Sequence, residues 1–442
     1  MLTQLATLIM GTKFLGAAEW GKAFIAQTDI TFLLIGIEVV AGSGLVYFTP
    51  RKKLSTLMFV SYSWIVLIML VYTALFYVMH FNPHFFHHIV PHGYPTLVLA
   101  ATFIYALHEF NLNHFLGKQK VNLFNWLFVI QIITQVTMMA VLVFALDLRT
   151  GKALIYSQLC GYTLATLIGW ALLSMEIRNE SKDPKKSLPF IDSHRNDIKG
   201  KETDFRWNDI KGKGATYKEM LRYGAFLQLS TLVSTLNKRL SLYLLNTHCE
   251  EKQVGVFASG TQVTEGANII SHSIGLVEFS VLSNTEQKER SKQLTLRFMK
   301  LAIMLTFIAM LAISLLPTMF YEWLFSGEFG DIRSLILLMA PGVVFFAAHT
   351  ILAHFFSGTG QPKYNLYASL IGLAVTVVAA FVLIPRFGIQ GAAITTSLTY
   401  FAAMLYQWWV FRRITDSRLR ELLPSRTDWQ WAKDEWRNLI KQ

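Results

Sequence analysis

The stretch from Ser55 to Met79 reads STLMFVSYSWIVLIMLVYTALFYVM and contains no charged side chain. A helix needs roughly 20 mostly apolar residues to cross the hydrocarbon core of a bilayer, and this run exceeds that. Comparable runs fall near 28–48, 94–116, 122–146 and 152–176. After a long polar stretch come 219–245, 253–282, 297–325, 333–357, 365–384 and 388–411. The opening segment, 1–24, is interrupted by Lys13, Glu19 and Lys22 and reads as a twelfth, shortened helix. No cleavable signal peptide is expected there, since no charged region precedes it and no small-residue cleavage site follows. The expected fold class is all-α: a polytopic membrane protein of about twelve transmembrane helices.

Composition points the same way. The 442 residues are 53% hydrophobic and 15% charged, whereas a soluble chain carries about 25% charged residues. That excludes a disordered chain and argues against a water-soluble enzyme. Two cysteines, Cys160 and Cys249, cannot build a disulfide framework or a four-cysteine zinc site. The net charge of +12 would suggest nucleic acid in a soluble protein, but its placement says otherwise. Loops after alternate spans, with the 178–218 stretch and the tail from Arg412, hold 29 Lys and Arg; the opposite loops hold six. Cytoplasmic loops retain positive charge during insertion, so both termini are expected in the cytoplasm and no nucleic-acid partner is expected.

The polar stretch 178–218 divides the spans six and six, and fragments of the first half recur in the second. Gly21-Lys-Ala-Phe24 is echoed by Gly255-Val-Phe257. Phe115-Leu-Gly117-Lys-Gln119-Lys120-Val-Asn122 is echoed by Phe356-Ser-Gly358-Thr-Gly-Gln361-Pro-Lys363-Tyr-Asn365, and Gly151-Lys-Ala153 by Gly391-Ala-Ala393. An even number of spans per half gives parallel repeats about an axis along the membrane normal, a plan used by secondary transporters. The expected organisation is an N-terminal lobe at 1–177, a linker at 178–218, a C-terminal lobe at 219–412 and a cytoplasmic tail at 413–442. The linker carries a near-repeat, Asn196-Asp-Ile-Lys-Gly-Lys201 and Asn208-Asp-Ile-Lys-Gly-Lys213, and reads as a solvated connector. In the tail, Trp429, Ala432, Trp436, Leu439 and Ile440 share one helical face, suited to lying at the headgroups.

Charges inside the membrane carry the functional reading, because each costs at least about 2.5–3.5 kcal/mol there. The candidates are Lys13, Glu38, Glu109 beside His108, Lys238, Arg239, Glu265, His272, Glu278, His349 and His354. Arg239 falls roughly 10 Å below the outer end of its span at 1.5 Å per residue. Glu265 is near the middle of the next span, so one cavity can hold both. Glu278 and Lys238 lie nearer the interfaces, where snorkelling is expected, and the lone histidines read as packed residues. The loop from His80 through His84, His87 and His88 to His92 has imidazoles suited to zinc or copper. Pro83 and Pro91 break its regularity and no acid is nearby, so it reads as an aromatic interfacial loop. No phosphate-cradling, nucleophile-elbow or zinc-protease motif is present, and the outer loops are short. This favours transport over catalysis.

Asn237-Lys-Arg239-Leu240, Val254-Gly255-Val-Phe257, Glu265, Ser271, Leu316-Pro317 and Pro341-Gly342 follow one another in a familiar order. Ser357-Gly-Thr-Gly360-Gln-Pro362-Lys-Tyr-Asn365 and Leu383-Ile-Pro385-Arg-Phe-Gly388-Ile-Gln-Gly391-Ala-Ala393 continue it, and Leu15-Gly16-Ala-Ala-Glu19-Trp-Gly21 opens the first half. Together these resemble the oligosaccharide flippases of the MATE-like MOP exporter superfamily, over most of 11–412. The resemblance implies two pseudo-symmetric six-helix lobes in a V, and movement of a polyprenyl-pyrophosphate-linked oligosaccharide to the outer leaflet by alternating access. The implied partners are that lipid-linked glycan, membrane lipids and polysaccharide assembly proteins. No cofactor is implied beyond H⁺ or Na⁺ coupling. Arg239 would pair with phosphate or an acidic sugar. Glu265 and Glu38 would accept sugar hydroxyls or take the coupling ion, and Glu109 and Lys13 complete the expected substrate-binding set. Family members have a full span before the Gly16 turn, whereas fourteen residues precede Leu15 here, so the place of Lys13 depends on a shortened first helix. A multidrug exporter of the same fold and a scaffold of a glycan-assembly complex are the competing readings.

Overall fold

The computed structural model describes residues 2–42, 44–49, 52–79, 81, 90–118, 120–182, 211–283, 287–359, 361–417 and 421. Among the described residues the protein is all-helical, without a strand. Helix α1 is Leu2–Met10, α2 Ala17–Ala41, α3 Gly44–Phe48, α4 Leu54–Met79, α5 Pro95–Gly117, α6 Val121–Ala140 and α7 Lys152–Lys182. The second half holds α8 Lys211–His248, α9 Glu251–Ser283, α10 Lys288–Leu315, α11 Thr318–Leu324, α12 Ile332–Gly358 and α13 Lys363–Thr415.

Among the described residues seven helices are long and apolar enough to span a bilayer: α2, α4, α6 with the π-helical turn that ends it, α7, α10, α12 and α13. Helices α5, α8 and α9, expected as spans, fall outside that set, and they carry most of the charged and imidazole groups singled out above. Helix α13 has 53 residues, about 80 Å at 1.5 Å per residue and far more than one crossing needs. Non-helical backbone at Gly388 (φ 54°, ψ −129°) divides it into two helices, as the runs 365–384 and 388–411 anticipated.

Two expected boundaries are corrected. The segment 1–24 is not one helix: α1 passes into a π-helical turn, Gly11–Leu15, and ends at Gly16 with φ 81°. That left-handed value is open to glycine at no steric cost, so α2 begins at Ala17 rather than near 28. The run 297–325 is also interrupted. Helix α10 stops at Leu315 and the extended Leu316–Pro317 pair starts α11, because a residue before proline is pushed out of helical backbone.

The chain forms two compact units, Met1–Leu232 and Val233–Gln442. The expected linker is helical at both ends, since α7 runs to Lys182 and α8 starts at Lys211; residues 183–210 lie outside the described part. The early turns of α8 belong to the first unit, where Met220 joins a core with Val40, Leu57, Phe110 and Leu173. Gly224 explains how α8 comes so close: a methyl there would overlap the Val39 carbonyl oxygen of α2. In the second unit Met299, Ile351, Phe355, Trp408 and Phe411 pack α10, α12 and α13 together. On α4, Leu67, Leu70, Val71 and Val78 stay exposed, as expected where the surrounding solvent is hydrocarbon.

The duplication has a structural signature. Helix α5 closes with Lys118 N donating to His114 O and Lys120 N to Phe115 O. Helix α12 closes with the same two bonds, Thr359 N donating to Phe355 O and Gln361 N to Phe356 O. Phe356 thus stands where Phe115 does, and the rest of the cap keeps step with it. Helices α2 and α9 likewise begin at matching places, Ala17 and Glu251, just ahead of the Gly21 and Gly255 echoes.

Candidate functional site

In the second unit, α8 carries Asn237, Lys238 and Arg239, and the first of these fixes the turn: Asn237 Nδ2 donates to Ser369 O of α13 at 2.8 Å. Arg239 then meets Glu265 of α9, Nη2 to Oε2 at 3.7 Å, with 22% and 35% of the side chains exposed. That distance and exposure describe a loose pair rather than a locked, buried bridge. A guanidinium has five N–H donors, so a second acceptor can be bound without first breaking the pair. Lys238 places its ammonium 5.7 Å from the ring centre of Phe346 on α12, a cation–π geometry. Phe346 also packs on Tyr400 of α13 at 4.6 Å, and on His272 and His349 at 6.3 and 5.7 Å. Tyr400 lies within electrostatic reach of both Arg239 and Glu265. The result is two cations and one carboxylate set against aromatic walls, which suits an anionic group attached to an amphipathic ring.

A second cluster forms in the first unit. Gln228 Nε2, on α8, donates to Glu38 Oε2 of α2 at 3.3 Å. Asn113 Nδ2 donates to Glu109 Oε2 of α5 at 3.3 Å. The two carboxylates interact electrostatically with each other and with Tyr105, whose ring lies 4.1 Å from that of Tyr162 on α7. His108 packs on Tyr162 at 5.3 Å.

The expected set of five is thus sorted into two pairs and a remainder. Arg239 and Glu265 meet in one unit, and in the other Glu38 bears electrostatically on Glu109. Lys13 is exposed on the π-helical turn between α1 and α2. Glu278 corrects an expectation: instead of snorkelling it is 0% exposed, against Thr295 of α10. Lys238 is exposed, as anticipated, but lies over Phe346. His80, His84, His87 and His88 and the tryptophan-bearing tail lie outside the described residues, and His92 is exposed. Among the described residues no three His, Cys, Asp or Glu side chains converge as metal ligands.

A family model described as lipid II flippase MurJ matches residues 198–423, just over half of the chain. The chain belongs to the MurJ flippase family. The capsular polysaccharide biosynthesis protein CapF of Staphylococcus aureus is 23% identical over 203 residues, which is 45% of this chain and 51% of that protein. A probable low-salt glycan biosynthesis flippase, Agl15 of Haloferax volcanii, is 20% identical over 192 residues, 41% and 39% of the two chains. The chain therefore matches about half or less of the length of these curated relatives. Two solved structures share the fold: lipid II flippase MurJ in an inward closed conformation, and an inward-facing MATE family multidrug transporter of the MOP superfamily. The first has TM-score 0.68 at 16% identity, covering 95% of this chain and 87% of that one. The second has TM-score 0.67 at 16% identity, covering 94% of each. At such identity the likeness fixes the fold alone.

This MurJ-family chain also contains site residues that reading the sequence for charge does not find. Gln228, Asn237, Tyr105, Tyr162 and Tyr400 are neutral, and inside an apolar run they are indistinguishable from packing residues. Proximity to a charge gives them meaning, and proximity is a property of the fold.

Proposed function

We propose that the protein is a transporter, not an enzyme, that flips a polyprenyl-pyrophosphate-linked oligosaccharide from the cytoplasmic to the outer leaflet. Its place would be the bacterial cytoplasmic membrane, with both termini cytoplasmic, and its role the building of a cell-surface polysaccharide. The observation that carries the reading is the pairing of Arg239 with Glu265 beside Lys238, Phe346 and Tyr400, within a membrane-spanning unit of a flippase family. Sugars and pyrophosphate cannot enter hydrocarbon without groups that replace their water. Arg239 would hold a phosphate oxygen pair or an acidic sugar through its planar fork. The aromatic faces would cover sugar rings, and Glu265 would accept hydroxyl protons. Alternating access would then carry the headgroup across while the prenyl chain stays in lipid. No organic cofactor is needed for such a cycle. Lipid-linked glycan and membrane lipids are the proposed partners, with polysaccharide assembly proteins supplying the glycan on the cytoplasmic side and using it on the outer one.

The test is leaflet exposure of a labelled polyprenyl-pyrophosphate oligosaccharide in proteoliposomes, for the native chain and for Arg239→Ala. Protein-dependent exposure that the variant loses is the expected result. Equal exposure with the variant removes Arg239 from the mechanism. Export of a cationic dye without glycan movement points instead to a multidrug exporter.

A further inference from the structure

On α9, Glu265, His272 and Phe279 follow one another at intervals of seven residues. Seven residues make almost two full turns, so the three share one edge of the helix, each about 10 Å from the next. The first meets Arg239. The second and third meet a different partner, His354 of α12, whose ring lies 6.5 Å from that of His272 and 6.2 Å from that of Phe279. His272 is exposed and His354 half-buried, so neither imidazole is sealed in a packed core. Gly275, one turn beyond His272, seats the pair: a methyl there would overlap the His354 ring, which lies directly against the bare backbone of α9. The charges that act around the pair are of one sign. The Lys238 ammonium bears on His272, and His272 bears on His354. Phe346 lies beside both His272 and Lys238 and so links this place to the one at Arg239.

We infer that His272, His354 and Phe279 form a second subsite, about two helical turns along α9 from Glu265, that takes an acidic group on a sugar, a carboxylate or a phosphate. An imidazole donates one N–H when neutral and two when protonated, and charge-assisted bonds to an oxyanion are the strong ones. An anion held there also relieves the mutual repulsion of the basic groups around it. Phe279, an exposed ring beside His354, covers the sugar that carries the acid. The transported headgroup then bears two separated acids, the diphosphate at Arg239 and a second further along the glycan. Every diphosphate-linked glycan satisfies Arg239, so this subsite is what discriminates among them. The inference rests on the flippase reading for the identity of its ligand, though not for its anion chemistry.

The experiment is equilibrium binding to the purified full-length protein in nanodiscs, near neutral pH, of three short-chain prenyl-diphosphate oligosaccharides. They differ in one sugar, which is neutral, carboxylated or phosphorylated. The native chain should bind at least one acidic probe about tenfold more tightly than the neutral one, and the preferred probe names the acid. His272→Gln and His354→Gln should each bring that ratio towards one. Gly275→Ala, which displaces the His354 ring, should do the same without removing an imidazole. Arg239→Ala should weaken all three probes and leave the ratio standing. A native ratio of one overturns the subsite. So does a native-like ratio in both histidine variants, with monodisperse elution showing that they fold. If the preference holds while no glycan is flipped in proteoliposomes, the subsite stands and the transport reading falls. Should the native chain bind none of the probes, the substrate reading falls and inorganic phosphate decides the rest. Saturable phosphate binding that H272Q and H354Q lose keeps the subsite; no binding, or binding that both variants retain, overturns it.

Discussion

In the first unit, α5 carries Tyr105, His108 and Glu109; at the equivalent positions of the second, α12 carries Phe346, His349 and Thr350. The shared caps of these helices, with Phe115 matched to Phe356, fix that register. When the facing helices are aligned on their first residues, Ala17 of α2 and Glu251 of α9, Glu38 corresponds to His272. Each bears on its counterpart ring, Glu38 on Tyr105 electrostatically and His272 on Phe346 by contact. Thus the duplicated scaffold places an aromatic ring and a histidine alike in both units. The side chains around them diverge: two carboxylates in the first; an imidazole, Lys238 and the Arg239–Glu265 pair in the second. The first thus gathers negative charge and the second mostly positive charge, on one duplicated scaffold.

The comparison is broken most severely by reversing the second unit's charge. Arg239→Glu should cost about 2–5 kcal/mol of substrate interaction, a fall in flipping rate of at least about thirtyfold. Arg239→Lys should retain part of the rate, because the charge remains while the two-pronged geometry is lost. Leaflet-exposure rates measure both, and an active R239E would mean that the basic cluster is not the anion site. Next in size is Glu109→Thr, which gives α5 the residue that α12 has. The ratio of flipping rates with and without an ion gradient should collapse towards one. A ratio that stays at the native value would show that the difference between the units has nothing to do with coupling.

How much of this was legible beforehand follows from what kind of signal each feature leaves. Most of the apolar runs and the Phe115 and Phe356 echoes are one-dimensional patterns, and they survive in the structure, the echoes down to matching hydrogen bonds. Arg239 and Glu265 were legible as a pair because each is expensive alone in hydrocarbon and the two helices that carry them are consecutive. Boundaries were less legible. The start of α2 is decided by the backbone of Gly16, and the end of α10 by Leu316–Pro317, inside runs whose hydropathy does not change. Glu278 was misread because distance from a span's end says nothing about whether a neighbouring helix covers it. Gln228 left no trace at all, being significant only because Gly224 lets α8 approach Val39.

That approach supplies the third prediction, on stability. Gly224→Ala places a methyl against backbone and should lower stability by about 1–3 kcal/mol, as overpacking does. Gly266→Ala, on α9, meets nothing within 4 Å and should raise stability by up to about 1 kcal/mol through helix propensity. The same substitution thus has opposite signs in the two units. Thermal unfolding of the purified variants reads both, and equal shifts would mean that α8 does not pack tightly on α2.

The smallest effect separates structure from function among the acids of the first unit. Glu19 Oε2 accepts a hydrogen bond from Gly151 N at 2.7 Å, far along the chain, while Oε1 meets Lys22 at 3.1 Å. It therefore caps the start of α7 from the first turn of α2, where a negative charge is also favoured by the helix dipole. In the alignment that pairs Ala17 with Glu251, its counterpart is Gln253, in the first turn of α9. Copying it, Glu19→Gln keeps an acceptor for Gly151 and loses only the charge. The expected loss is below about 1 kcal/mol, and Glu19→Ala, which removes the acceptor, should cost about 1–2 kcal/mol. Both should appear in thermal unfolding and leave the flipping rate of the folded protein alone. If E19Q instead slows flipping while its unfolding is unchanged, then Glu19 acts with Glu38 and Glu109, and the functional acids of the first unit are not confined to one pair.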